Sequence, residues 1–377
     1  MKRLSAALSL LLAAASVLLR AADPAPLPDG LYAEFTTPRG VITCELFFQR
    51  TPLTVTSFVG LAEGALGPAP RQPFFDGLKF HRVVPGFVVQ GGDPLGTGDG
   101  GPGYTFPDEL VPGLRHDAVG VLSMANDGPD TNGSQFFLTL APVNRLNYLH
   151  AVFGRTIRGL EVLPQIQQGD TMTVKILRLG AAAKAFRADD ATFAALVAHT
   201  KRYSGAPEPG PAAHFDDPDK LLPSDPPRAK AFNAKLANFE RATGMKIVAR
   251  LFAKSPPAAE DAKAGVYMKA LAGKLGVAQR GVLAAYFAAD DDWRVWIGDE
   301  ATTAFLGRVA TPPDLVEDAS FHKAKESFLD AAKAQGDADF AKQQTSATPD
   351  HPLPPGQRLK LETDALLDGL ISKYESK

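Results

Sequence analysis

The sequence predicts two domains: an all-β closed barrel with short flanking helices, followed by an α/β layered domain with a helical C-terminal tail. The chain has 377 residues, which is enough for two ordinary domains. From about residue 30 to 180, short apolar runs alternate with Gly- and Pro-containing turns, as in barrels. After a stretch rich in Pro, Ala and Asp, strand-like and helix-like periods alternate, as in layered α/β domains. We therefore expect the barrel at 30–180, a helix and linker at 181–211, and the α/β domain with its tail at 212–377.

The barrel region begins with a hairpin and a helix. Val41–Phe47 reads as a strand after a turn at Arg39-Gly40. Thr51 and Pro52 suit the N-cap and first position of a helix that ends at Gly64. The remaining strand candidates, which are short and apolar, are 80–83, 87–90, 119–124, 136–139, 151–155 and 174–179.

The second region changes to helical periodicity. Phe232, Leu236 and Phe239 form the apolar stripe of a helix that ends at Gly244. A strand at 245–252, a second helix that ends at Gly276 and a strand pair around the acidic turn 290–292 follow. From about residue 314 the pattern is mainly helical, with a polar break near 346–355.

The N-terminus has the pattern of a secretory signal. Lys2 and Arg3 precede an apolar run from Leu4 to Leu19, which is short for a membrane span. We predict a signal peptide at 1–22, hence a periplasmic or secreted protein with no membrane span after signal removal. An N-terminal anchor helix is the alternative.

Composition narrows the function classes. The formal net charge of -2 offers no broad basic surface, so nucleic acid is not an expected partner. The single cysteine, Cys44, cannot form an intrachain disulfide and reads as a buried strand residue. His/Cys metal spacing is absent from the sequence.

Three long motifs carry the functional signal. They are Phe80–Asp93 (FHRVVPGFVVQGGD), Ser123–Phe137 (SMANDGPDTNGSQFF) and Leu146–Gly154 (LNYLHAVFG). In order and spacing they resemble the cyclophilin family of peptidyl-prolyl isomerases, and the match covers about residues 30–180. The resemblance implies a cyclophilin-like barrel that acts on proline-containing unfolded or partly folded polypeptides, without a cofactor or metal.

The implied reaction explains the central arginine. Resonance gives a peptide bond a rotational barrier of about 18–20 kcal/mol. In the twisted transition state the lone pair returns to the prolyl nitrogen, which then accepts a hydrogen bond. A donor aimed at that nitrogen stabilises the transition state over the planar ground state. Arg82, which takes the position of the family's catalytic arginine, offers a permanently charged fork of N–H groups.

The resemblance also assigns the substrate groove. Phe87, Phe137 and Leu146 would line the proline pocket, with Val88 and Met124 beside it. The residues expected to contact the peptide or complete the groove wall are Gln90, Ala125, Asn126, Gln135 and His150.

The chain departs from the family at Arg145, where many eukaryotic members have Trp. Since that tryptophan supports binding of cyclosporin, we expect weak inhibition by this cyclic peptide.

The run Gly96–Gly101 formally fits a phosphate-binding G-x-G-x-x-G motif. Pro102-Gly103 follows at once, so no helix can begin there and we predict a plain loop.

The second region resembles the TPM family over about residues 213–310, through Thr243-Gly244 before a strand and Gly281-Val282-Leu283. This implies a TPM-like α/β domain, and some members are reported as phosphatases or metal binders. Aspartates 216, 217, 219 and 290–292 could form a carboxylate metal site. The alternative is a linker and a solvated turn, in which consecutive aspartates are common.

Three functional hypotheses follow. The first is an exported peptidyl-prolyl isomerase. The second is a non-catalytic module that binds proline peptides, with an unidentified protein partner chosen by the C-terminal domain. The third is a bifunctional protein whose C-terminal domain is a phosphatase or metal-binding domain.

Overall fold

The computed structural model describes residues 25–202, 208–263, 265–309, 320–347 and 352–375. The predicted signal peptide lies outside these ranges. Within them, none of the helices is both long and apolar enough to cross a membrane.

The first region is an eight-stranded antiparallel sheet. Its strands are β1 (Gly30–Thr37), β2 (Gly40–Leu46), β3 (Arg82–Val84), β4 (Val88–Gly91), β5 (Val121–Met124), β6 (Phe136–Thr139), β7 (Val152–Arg158) and β8 (Thr173–Leu179). They pair in the order β3-β4-β6-β5-β7-β2-β1-β8. Phenylalanines fill the space enclosed by the sheet, with Phe35, Phe58 and Phe136 in mutual ring contact.

The prediction of a closed barrel is wrong, because the curled sheet keeps two edges. The edge strand β3 has only three residues and pairs with β4 alone. Outside the strands, Lys79 and Thr171 form one isolated bridge across the gap. β3 and β8 share no ladder, and the number of strands alone does not ensure the tilt and register shift that closure requires.

Three helices cover this sheet. They are α1 (Pro52–Ala62), α2 (Gly180–Ala185) and α3 (Asp190–His199). Residues 53–62 of α1 are all buried, because α3 packs on the side that the sheet leaves open. Thr51 stands at the N-cap of α1, yet its side chain makes no capping hydrogen bond. The Glu109 carboxylate instead accepts from the backbone N–H groups of Leu53 (3.1 Å) and Thr54 (2.8 Å).

The second region is a four-stranded sheet between helices. Its strands are β9 (Phe215–Asp216), β10 (Ile247–Phe252), β11 (Val282–Phe287) and β12 (Asp292–Ile297), in the order β12-β11-β10-β9. The first three are parallel, and β12 is antiparallel to β11. The helices are α4 (Arg228–Thr243), α5 (Val266–Lys274), α6 (Thr302–Leu306), α7 (Ser320–Ser346) and α8 (Gln357–Tyr374).

The helices enclose two separate cores. The face of the sheet that carries Ile247 and Ala284 packs against α4 and α8, and the face that carries Val248 and Leu283 packs against α5. Tyr148, which belongs to the first region, is buried in the core under α4 and α8. The two regions therefore share a packed interface.

Candidate active site

Strand pairing brings the central residues of the predicted site together. Arg82 on β3 lies opposite Gln90 on β4, and Gln90 lies opposite Phe137 on β6. Residues directly opposite one another on neighbouring strands point to the same face of a sheet. The register alone therefore sets Arg82, Gln90 and Phe137 in one row.

A chain of amides anchors the guanidinium. Arg82 Nη1 donates to Gln90 Oε1 (3.3 Å), and Gln90 Nε2 donates to Gln135 Oε1 (2.9 Å). Gln135 Nε2 in turn donates to the carbonyl oxygens of Gly98 (2.6 Å) and Gly100 (2.9 Å). The Arg82 side chain is exposed, so its remaining N–H groups are open to a bound peptide.

An aromatic surface lies beside this guanidinium. The half-buried Phe87 ring has Arg82 Cζ at 5.7 Å and Arg145 Cζ at 4.4 Å from its centroid. Phe137 is buried, and Val88 and Met124 are each 2% exposed. The predicted proline pocket therefore has an apolar floor with two cations at its rim, of which Arg145 is the closer to Phe87.

Two histidines flank Phe137 without carrying charge at neutral pH. His116 stacks on the ring at 5.6 Å between centroids, and His150 meets its edge at 5.5 Å. Burial lowers the pKa of His116 to about 3 and that of His150 to about 4. Both imidazoles are therefore neutral at pH 7, so neither adds a charge beside Phe137.

The edge expected to hold the peptide backbone is fixed by its neighbours. The N–H of Ala125 donates to the Gln135 carbonyl (3.0 Å). Asn126 Nδ2 donates to the Leu149 carbonyl (2.9 Å) and, more weakly, to Asp108 Oδ1 (3.4 Å). Both residues are half-exposed, as an edge that pairs with an added strand requires.

The loop after β6 carries the remaining predicted residues. Leu146 ends a short 3₁₀ helix (Asn144–Leu146), and its carbonyl accepts from the N–H of His150 (3.3 Å). His150 Nδ1 lies 3.1 Å from the Met124 carbonyl, which ties this loop to β5. The eleven predicted site residues thus lie on β3 to β6, on the residues directly flanking these strands (Phe87, Ala125, Asn126 and Gln135) and on this one loop.

The sequence did not single out two residues that support the groove. His116 lies under Phe137, 3.0 Å from Asn147 and 2.9 Å from Ser123. Asp108 accepts from Asn132 (2.7 Å) and Asn126, and burial raises its pKa to about 6. Their sequence neighbours do not mark them, since His116 lies between Arg115 and Asp117 and Asp108 precedes Glu109, a setting typical of solvent-exposed residues.

The Gly96–Gly101 run forms a loop, as predicted. Asp93 accepts hydrogen bonds from the backbone N–H groups of Leu95 (2.7 Å), Thr97 (2.9 Å) and Gly98 (2.5 Å). Burial opposes the charge of Asp93, but these N–H groups outweigh it and lower the carboxyl pKa. The donors that would hold a phosphate are therefore already occupied by a carboxylate of the same chain.

The aspartates of the second region are engaged within the protein. Asp291 accepts from Tyr286 (2.8 Å) and Lys333 (2.9 Å), and Asp292 pairs with Arg294 (2.7 Å). Asp217 accepts from the backbone N–H groups that follow it at 221 and 222. Across the part of the chain that the structure describes, no group of three His, Cys, Asp or Glu residues is placed to hold a metal ion.

Comparison with known proteins identifies the first region. The family model described as cyclophilin type peptidyl-prolyl cis-trans isomerase/CLD matches residues 32–181. The peptidyl-prolyl cis-trans isomerase A of Mycobacterium tuberculosis is 50% identical over 132 residues, covering 33% of this chain and 72% of that protein. CYP18-2 of Arabidopsis thaliana, also named a peptidyl-prolyl cis-trans isomerase, is 43% identical over 163 residues, which cover 40% of this chain and 94% of that protein.

A human relative and a solved structure are also similar. The human peptidyl-prolyl cis-trans isomerase-like 1 is 43% identical over 147 residues, covering 38% of this chain and 82% of that protein. The crystal structure of a Cryptosporidium parvum cyclophilin, with the dipeptide Ala-Pro present, is 31% identical, covers 40% of this chain and 99% of its own, and has a TM-score of 0.35. From the sequence matches, this chain belongs to the cyclophilin-type peptidyl-prolyl cis-trans isomerase family.

Proposed function

We propose that this protein catalyses cis–trans isomerisation of X–Pro bonds in exported polypeptides, with Arg82 as the donor to the prolyl nitrogen. The observation that carries the proposal is the position of the Arg82 guanidinium, next to the Phe87 ring and bonded to Gln90. The names of the relatives support the reaction class. Export is supported by the basic start and apolar run of residues 1–19.

The chemistry requires few groups. The proline ring would sit on Phe87 and Phe137, which favours an apolar ring and excludes water. As the bond twists, the nitrogen becomes pyramidal and Arg82 donates to it. Gln90 limits the rotamers of Arg82, so less side-chain entropy is lost in the transition state. A millionfold enhancement would require about 8 kcal/mol, so the donor, the positioning and the desolvation must share it.

Arg82 variants test the proposal. We expect Arg82→Ala to lower kcat/KM for a proline tetrapeptide by about 100-fold to 1,000-fold, as loss of a transition-state donor does. Arg82→Lys should recover little, since an ammonium lacks the fork that reaches both Gln90 and the substrate. Arg155→Ala is the matched control, because this exposed arginine pairs with Glu45 away from the groove.

The same experiment judges the binding-module hypothesis. If neither the wild-type protein nor Arg82→Ala turns over the tetrapeptide faster than the uncatalysed reaction, the chain is not an isomerase. Binding of the peptide with unchanged affinity by both proteins would then favour the non-catalytic module. The cellular location is tested separately, by fractionating cells that express the full chain and a chain that begins at residue 23.

A further inference from the structure

A second cleft continues from the proposed peptide groove into the interface with α4. Its volume is about 790 Å³, within the range of about 300–1,000 Å³ typical of ligand pockets. Asn126 and His150, both predicted to contact substrate, line one wall together with Leu149. The cleft is therefore continuous with the proposed site.

The opposite wall is one stripe of α4. Lys230, Ala231, Ala234 and Asn238 line the cleft, and their spacing of three or four residues places them on one helix face. Ala231 and Ala234 are only partly buried, although most of their helix is packed against the second core. Their small side chains leave room between α4 and Asn126.

A buried polar group also lines this wall. Asn238 is 1% exposed, and its Nδ2 donates to the Tyr148 carbonyl (2.8 Å). Its Oδ1 has no hydrogen-bond partner among the described residues. Buried acceptors are rarely left without a donor. Since Asn238 lines the cleft, an N–H of an extended peptide can supply this donor once the amide turns toward the cleft.

We propose that α4 forms the outer wall of an extended subsite, which binds the residues that flank the proline in a polypeptide substrate. The inference rests on the proposed function, because the occupant of the cleft is the substrate polypeptide whose proline would sit on Phe87. A strand paired along Ala125 and Asn126 advances about 3.3 Å per residue. Because Asn126 and Ala234 line the same cleft, the residues that flank the proline in such a strand would enter the space beside α4.

The test compares a short and a long substrate. One is the tetrapeptide Ala-Ala-Pro-Phe, and the other carries the same sequence with three uncharged residues added at each end. Ala234→Trp fills the cleft from the α4 side. We divide kcat/KM for the long peptide by kcat/KM for the short one, and we expect Ala234→Trp to lower this ratio by about tenfold. The reason is that contacts with the flanking residues raise kcat/KM only if the cleft is free to make them.

Two further variants make the test decisive. Ala338→Trp makes the same change at an exposed position of α7, and its ratio should stay within about twofold of the wild type. Lys230→Trp obstructs the cleft from a side chain that is 64% exposed, so it decides the outcome if Ala234→Trp does not fold. An unchanged ratio in a folded cleft variant would overturn the inference.

Binding of the long peptide separates this inference from the proposed function. A fluorescein-labelled long peptide gives Kd by anisotropy whether or not turnover occurs. If the wild type turns over neither substrate but binds this peptide more tightly than the cleft variants do, the isomerase proposal fails and the subsite stands. If affinity is equal in all variants, the subsite fails whatever the activity.

Discussion

The Tyr148 hydroxyl donates a 2.6 Å hydrogen bond to Glu375 Oε1, although the two residues are 227 positions apart. The Glu375 side chain is buried at the end of α8 and also accepts from the backbone N–H of Gly113 (2.7 Å) and from Arg115. Tyr148 lies two residues after Leu146, on the loop that carries Leu146 and His150. The C-terminal end of the described chain therefore holds this loop in place.

Removing the Tyr148 hydroxyl should loosen that loop. We expect Tyr148→Phe to lower the free energy of unfolding by about 1–3 kcal/mol, because a buried carboxylate loses a donor. KM for a proline tetrapeptide should rise more than kcat falls, since the Arg82 donor itself is untouched. Urea denaturation and steady-state kinetics measure the two effects.

Tyr267→Phe is the control for this change, since Tyr267 is a partly exposed tyrosine of α5 far from the loop. It should alter the free energy of unfolding by less than about 0.5 kcal/mol. Equal effects of the two substitutions would show that the Glu375 contact does not stabilise the loop.

Arg145 should control inhibition by cyclosporin. Its Cζ lies 4.4 Å from the Phe87 centroid, so a cyclic apolar peptide that reaches Phe87 must desolvate or displace this cation. We expect Arg145→Trp to tighten the inhibition constant by about tenfold or more, because an indole offers apolar surface and one N–H donor.

The matched control for inhibition is Arg155→Trp, which adds the same side chain at an arginine that is 63% exposed on β7. It should leave the inhibition constant unchanged. Tight inhibition of the wild-type protein would contradict the prediction, because Arg145 would then be compatible with the inhibitor.

Motifs of the sequence led to the candidate site, whereas periodicity led to an architecture that the structure corrects in part. Arg82, Gln90 and Phe137 were identified from motifs, and strand register places them in one row. Closure of the barrel was predicted wrongly, because a count of strands does not reveal that β3 and β8 stay at the edges of the sheet. The TPM resemblance of 213–310 stays a prediction.

The features that the sequence did not predict depend on contacts between residues far apart in the chain. Glu109 caps α1 from more than 50 residues away, and Asn238 donates to Tyr148 across 90 residues. Local patterns report periodicity, turns and caps within a few residues. They carry no information on which distant element covers a groove, so the α4 wall of the cleft was not foreseen.

Glu109 should stabilise the N-terminus of α1 more than the local cap residue does. Its carboxylate accepts from Leu53 N, Thr54 N and Thr54 Oγ1, whereas the Thr51 hydroxyl donates to the Phe47 carbonyl. We expect Glu109→Ala to lower the free energy of unfolding by about 1.5–3 kcal/mol, the range for hydrogen bonds to a charged group.

Chemical denaturation checks this prediction, with Glu161→Ala as the control. Glu161 is exposed, so its removal should change the free energy of unfolding by less than about 0.5 kcal/mol. A small effect of Glu109→Ala would mean that water caps the helix equally well.

The buried His116 should make stability depend on pH. Burial lowers its pKa to about 3, while in the unfolded chain it stays near its ordinary value of 6.5. Between these two values the unfolded chain binds a proton that the folded chain does not, so stability falls as pH decreases from 6.5. By pH 5 this amounts to about 2 kcal/mol, at about 1.4 kcal/mol for each pH unit.

Comparison with His116→Gln isolates this contribution. His150 acts in the same direction, and Asp108, whose pKa burial raises to about 6, acts in the opposite direction. Both are present in the variant as well, so their effects cancel in the difference. Between pH 7.5 and pH 5, we expect the free energy of unfolding of the wild type to fall by about 2 kcal/mol more than that of His116→Gln, measured by urea unfolding.

The control is His199→Gln, at an exposed position that ends α3, and its free energy of unfolding should fall by as much as that of the wild type. Parallel losses in all three proteins would mean that His116 accepts a proton in the folded state, and with it that the base of the proline pocket is charged at pH 5.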